Sequence, residues 1–392
     1  MHVSAFVRKL AAVAVFGLTA SLPAAMPGHA SPMGAGSPEE AVVEKLLNRA
    51  AETKQFADSV AKDTKVDVSR ENGNWAFGTA VLLGSKDTYP EGWLFLAQRK
   101  AGGWQVAFDG EPGFGKLSKN APVVSPRERQ LFASHAGGVT PQANGDYRTG
   151  MRLPYAIGQS WYMYGGPHGW GGNHTPYSSV DLAGGDQRVL AARGGTAYTM
   201  CTGWIRIIHD RGYATDYYHL WNNISVNGAG VGEGAFLGNT GTDVTCGGSA
   251  SGRHVHFALR QNDTYVGIHA HVIGKWVIMN GGAAYQGYAL HGSQQVNAGG
   301  ALYNYGALGF TQGIVDAYGS ASVNKRSGPG TGYGIVGSVA DGATVGISCS
   351  ANGTTHTGRW GATSLWNRLT DGTWVSDAFL YTGIDGPVNG WC

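Results

Sequence analysis

The chain carries little charge for its length. Of 392 residues only 14% are Asp, Glu, Lys or Arg, and the formal net charge is +2. That balance gives no electrostatic argument for nucleic acid or a membrane surface as a partner, since either calls for a concentrated cationic face. Long apolar runs are missing after the N-terminus, which excludes a later helical membrane span. Cysteine is scarce: Cys201, Cys246, Cys349 and Cys392 all lie in the second half, and no Cys-x-x-Cys pair exists, which argues against zinc held by thiolates. A disordered chain is excluded too, because 42% of the residues are hydrophobic.

What the chain has in quantity is Gly, with 64 residues, together with 12 Trp and 18 Tyr. Many tight turns and many aromatics suit a mainly β protein. Arg8 and Lys9 precede an apolar stretch from Leu10 to Ala25, and Gly28-His29-Ala30 supplies small residues for a signal peptidase. Residues 1–30 therefore read as a secretory signal peptide, and the mature protein as soluble, secreted and extracellular. In that oxidising setting an even number of Cys favours two disulfides. Pairing by nearness along the chain gives Cys201 with Cys246 and Cys349 with Cys392.

Residues 31–140 are the most densely charged part of the chain. A helical pattern runs from Pro38 to Thr64 with Ser37 as N-cap, and three strand-like runs follow at Trp75–Leu83, Gly92–Ala97 and Gly103–Phe108. A helix on a small antiparallel sheet directly behind a signal reads as an α+β propeptide, the alternative being a permanent N-terminal domain, with an exposed linker and processing region from Ser134 to Arg148. The block 141–300 is Gly-rich and strand-rich, with a hairpin turning at Asp210-Arg211-Gly212. Residues 308–392 read as a small β-barrel.

Chemistry enters with His254-Val255-His256, on a run that reads as a strand. A period of two points both imidazoles the same way, as one edge of a metal site requires. Thirteen His in a chain of this length give about 0.4 such pairs by chance, and a second one, His269-Ala270-His271, is present. Metal-assisted hydrolysis needs three protein ligands, an open position and a neighbouring base. The other candidates are His168 in Gly-Gly-Pro-His, His174, Asp181 in Ser-Ser-Val-Asp, and His219 after Tyr217-Tyr218. His209 reads as structural, and Asp181 has the alternative of capping a turn.

His168, the Tyr177–Asp181 run thirteen residues later, Tyr217-Tyr218-His219-Leu220, and the run from Cys246 to Phe257 together resemble the lysostaphin-type zinc endopeptidases of family M23, in the beta-lytic and staphylolytic subgroup. The resemblance covers about 150 residues and implies an antiparallel sheet with an open groove. It implies that His168, Asp181 and His256 bind one Zn²⁺ per chain, with His219 and His254 beside the reacting water and oxyanion. It favours His168 over His174, which becomes a groove-wall residue, and it implies a disulfide at Cys201 and Cys246. His269 and His271 match no part of it and read as surface or supporting residues. Trp276 stands in a region where relatives tend to place a Tyr, a departure that removes a phenolic hydrogen bond. Residues 323–329, 342–345 and 372–381 resemble a bacterial SH3 domain, which implies a cell-wall ligand. The resulting expectation is a monomeric, bacteriolytic zinc endopeptidase acting on peptidoglycan cross-bridges, at Gly-Gly or similar small-residue links. The alternatives are a non-catalytic wall-binding protein and a zinc-dependent peptidoglycan amidase.

Overall fold

The computed structural model describes residues 36–52, 63–136 and 145–392. The expected signal peptide, the latter part of the first helical pattern and the centre of the expected linker lie outside the described residues. Helix α1 (Pro38–Glu52) starts in a reciprocal cap: Ser37 Oγ accepts from the Glu40 N–H at 3.2 Å, and the Glu40 carboxylate accepts from the Ser37 N–H at 3.0 Å. Its Val42 and Leu46 pack against an antiparallel sheet in the order β1 (Thr64–Asn72), β2 (Trp75–Leu82), β3 (Glu91–Lys100), β4 (Gly103–Phe108). Strand β1 was not expected from the sequence. Its Val66 and Val68 alternate with polar residues, as suits an edge strand with one face on the core.

Helices α2 (Pro112–Ser118) and α3 (Pro126–Ala136) complete the N-terminal unit. The expected linker therefore starts too early, since Ser134 to Ala136 close α3. His135 is buried, with Nδ1 on Asp263 Oδ1 at 3.0 Å and Nε2 on the His209 carbonyl at 3.0 Å.

The middle block is built on a sheet of β5 (Ser160–His168), β6 (Ser179–Ala183), β7 (Gly195–Cys201), β8 (Trp204–Ile208), β9 (Tyr213–Tyr218), β10 (Asn227–Val231), β11 (Val255–Gln261) and β12 (Ala301–Tyr303). Their order is β10-β7-β8-β9-β11-β6-β5-β12, with Thr264–Tyr265 paired to β11. Strands β8 and β9 form the hairpin at Asp210-Arg211-Gly212, with Ile205 opposite Tyr217. Because β12 pairs with β5, the sheet takes in residues past the expected boundary at 300.

Alternation along β11 divides its side chains. Val255, Phe257 and Leu259 enter one apolar core, while Ala258 enters a second, which lies on the other face. That second core is shared: Phe77, Leu94 and Phe132 of the N-terminal unit pack with Tyr198, Trp204 and Tyr218 of the sheet. A buried ion pair of the middle sheet also reaches across the same boundary. Arg206 grips Asp216 with two hydrogen bonds of 2.8 and 3.0 Å and donates to the Gly92 carbonyl at 2.9 Å.

A second sheet of five strands lies between residues 148 and 297, and a seven-stranded sheet occupies residues 312–381. Disulfides join Cys201 to Cys246 and Cys349 to Cys392, as the sequence reading expected. Among the described residues no helix is long and apolar enough to cross a membrane.

Candidate active site

Three neighbouring strands deliver the central residues. His256 on β11 stands directly opposite Asp181 on β6, and Asp181 stands opposite Gly165 on β5, three residues before His168. Gly165 is needed there: a Cβ at that position would lie 2.4 Å from Asp181 Oδ2. His168 Nε2 lies 3.1 Å from His256 Nδ1 and 3.4 Å from Asp181 Oδ1, and His256 Nδ1 lies 3.0 Å from the same oxygen. These are the only residues among those described whose His, Cys, Asp or Glu donors converge in the manner of a metal site.

Two more imidazoles face this trio. His254 Nε2 is 3.6 Å from Asp181 Oδ1, and the His254 and His219 rings are 4.8 Å apart. Backbone carbonyls fix the rings: His168 Nδ1 meets Gly166 O at 2.7 Å, His219 Nδ1 meets Asp243 O at 2.8 Å, and His254 Nδ1 meets Gly252 O at 2.7 Å. Only a protonated nitrogen donates to a carbonyl, so each of the three leaves its Nε2 lone pair turned inward. The disulfide from Cys201 to Cys246 anchors the loop that runs from His219 toward His254.

Burial lowers the His219 pKa to about 3, reinforced by His254 and His256, and lowers His256 to about 4. Both are neutral near pH 7. Burial raises the Asp181 carboxyl, but the adjoining His168 and His256 imidazoles outweigh it and hold it well below the usual carboxylate range. The site thus presents a carboxylate and inward-facing imidazole lone pairs.

The remaining candidates lie elsewhere. His174 is exposed on the loop after β5 and lines a cavity of about 410 Å³ with Trp170 and Tyr89. His209 is buried and bonded to Gly194 O and Thr215 Oγ1. Trp276 is wholly buried, its indole N–H on Tyr303 O, so it stands in the core and not in the cleft. His269 is exposed. His271, expected at the surface or in support of the site, is instead wholly buried against the Tyr147 and Tyr213 rings.

Two residues escaped the sequence reading. Tyr285 stacks on His168 with ring centroids 4.0 Å apart, the nearest Tyr to the role sought at Trp276. Tyr89, from the N-terminal unit, places its hydroxyl 3.3 Å from His219 Nε2 and its ring 5.2 Å from that of His256. Nothing local marks either one, since Gly-rich and turn-like surroundings conceal where their loops go.

No family model matches the chain. Protease LasA of Pseudomonas aeruginosa is 33% identical over 146 residues, covering 34% of this chain and 35% of that protein. The chain thus spans only about a third of the length of that relative. The beta-lytic metalloendopeptidase of Lysobacter enzymogenes is 28% identical over 146 residues, covering 34% of this chain and 82% of that protein. Among solved structures, the M23 metalloprotease pseudoalterin from the deep sea is 34% identical, with 39% of this chain and 97% of that chain covered and a TM-score of 0.37. Over about 146 residues, then, this chain is similar to a protease and to a beta-lytic metalloendopeptidase.

Proposed function

We propose that the protein is a secreted zinc metalloendopeptidase that hydrolyses peptide bonds of bacterial peptidoglycan, at Gly-Gly or similar small-residue links. One observation carries the reading: His168, Asp181 and His256 converge, with His219 and His254 facing the same point. The donors fit Zn²⁺. A tetrahedron with bonds of about 2.0 Å has edges of about 3.3 Å, and the three donor atoms stand 3.0, 3.1 and 3.4 Å apart. A bound Zn²⁺ supplies Lewis acidity, polarising the scissile carbonyl and acidifying water.

The chain's own residues do the rest. His219 and His254, each tied through Nδ1 to a carbonyl, present Nε2 to take the proton of the attacking water. Once protonated, either one donates to the developing oxyanion or the leaving amine. Tyr285 covers the outer side of His168 and holds that ligand's ring in place. The relatives named a protease and metalloendopeptidases support a peptide substrate, and the family resemblance supports the cell wall. In the same reading the N-terminal unit is a propeptide, the C-terminal sheet is an SH3-like module that holds the wall, and the protein is a monomer.

Zinc-loaded protein freed of the N-terminal unit, incubated with Gly-bridged cell walls, tests this. New peptide N-termini, seen by mass spectrometry and abolished by a chelator, are expected. Released intact stem peptides point to an amidase, and no chelator-sensitive product at all sinks the hydrolase reading.

A further inference from the structure

The loop between β2 and β3 leaves its own sheet and runs into the cleft of the middle block. Gly84 N–H donates to Cys246 O at 2.8 Å, Gly248 N–H to Ser85 O at 3.2 Å, and Asp87 N–H to Gly248 O at 3.3 Å, so that Lys86 and Gly248 form a parallel bridge. The approach is backbone on backbone. A Cβ on Gly247, whose φ is 117°, would lie 2.4 Å from Gly84 Cα, and one on Gly248 would meet the Tyr89 ring at 3.2 Å. Three residues beyond the bridge, the Tyr89 hydroxyl donates to Ser249 O at 3.1 Å while lying 3.3 Å from His219 Nε2. Trp170 closes the far end by donating to Pro90 O at 2.7 Å.

We propose that residues 84–90 are an intramolecular inhibitor: they lie along the edge Cys246–Ser249 as an extended peptide would, and Tyr89 occupies the space in front of His219 that the reacting groups need. The proposal rests on the hydrolase reading and adds its regulation. The competition is direct. The Cys246 and Gly248 carbonyls and the Gly248 N–H are backbone hydrogen-bonding groups of this edge, and all three are engaged by the loop. The inward Nε2 of His219 is likewise covered by a phenol that has no part in hydrolysis. A chain with the loop docked is latent. An open form populated at about 1–10% lowers hydrolysis about 10- to 100-fold.

The test uses the full chain, wild type and Tyr89→Ala, in two measurements. Hydrogen exchange on metal-free protein is expected to show the Gly84 and Gly248 amides protected in the wild type and less protected in the variant. Free exchange of both amides in the wild type overturns the docked loop, whatever hydrolysis shows. Zinc-loaded protein is then assayed on a Gly-Gly-bridged peptide, where Tyr89→Ala is expected to exceed the wild type by at least about 10-fold. Equal and substantial rates overturn the inhibition and leave the hydrolase standing. Where proteolytic trimming of the N-terminal unit activates a chain that Tyr89→Ala leaves inert, the role given to Tyr89 is overturned. Inertness in every arm, trimmed chain included, overturns the hydrolase reading and the inhibitory role with it.

Discussion

Two stretches of this chain share a tripeptide pattern and end in opposite surroundings. In His254-Val255-His256 the middle residue opens strand β11, and both imidazoles reach Asp181 Oδ1, at 3.6 and 3.0 Å. In His269-Ala270-His271 the middle residue has a φ of 64°, in the left-handed region. Alternation is broken there: His269 is exposed and accepts from the Asn280 N–H at 3.1 Å, while His271 is wholly buried. A spacing of two has chemical meaning only where the backbone stays extended and a neighbouring strand sets a carboxylate opposite.

The contrast breaks most sharply on metal content. In trimmed protein, His256→Ala should lose its zinc on dialysis and its hydrolysis by about 10³-fold or more, whereas His271→Ala should keep one zinc per chain. Retention of zinc by His256→Ala would remove that residue from the ligand set. His254→Ala sharpens the division within the first pair: zinc should remain while kcat falls about 10²- to 10⁴-fold. Loss of zinc in that variant would make His254 a ligand.

In the second pair the effects should be on stability. His271→Ala leaves a cavity between two tyrosine rings and should cost about 2–4 kcal/mol in denaturant unfolding. Burial lowers His271 to about 4, against about 6.5 in the unfolded chain. The unfolded state therefore binds the proton first. The contribution of this residue is intact above about pH 6.5 and is lost as the pH falls toward about 4. A His271→Phe variant should show a smaller fall in Tm across that window than the wild type, and an unchanged fall would mean His271 does not titrate there. His269→Ala is the smallest effect, within about 0.5 kcal/mol, because it removes one exposed hydrogen bond.

The sequence was most legible where structure is local. The Ser37 cap, the Asp210-Arg211-Gly212 turn and the alternation of β11 all depend on residues close in the chain, and each is where the pattern places it. The grouping of His168, Asp181, His219, His254 and His256 came from an ordered set of motifs, since pairing across β5, β6 and β11 joins residues 88 positions apart. Strand β1 was missed because its charged face dilutes the apolar signal. The loop 84–90 reads as an ordinary turn, and its destination is set by Cys246–Ser249, far along the chain. Trp276 drew attention in place of Tyr285 because a bulky aromatic beside a site and one in a core look alike in sequence.

The apolar core shared by Phe77, Leu94 and Phe132 with Tyr198, Trp204 and Tyr218 has a consequence for timing. Wetting even about 300 Å² of apolar surface, at about 25 cal/mol per Å², amounts to about 7 kcal/mol. That is comparable with the whole net stability of many domains. Spontaneous parting of the two units is correspondingly rare, so the N-terminal unit stays seated on the sheet in the intact chain.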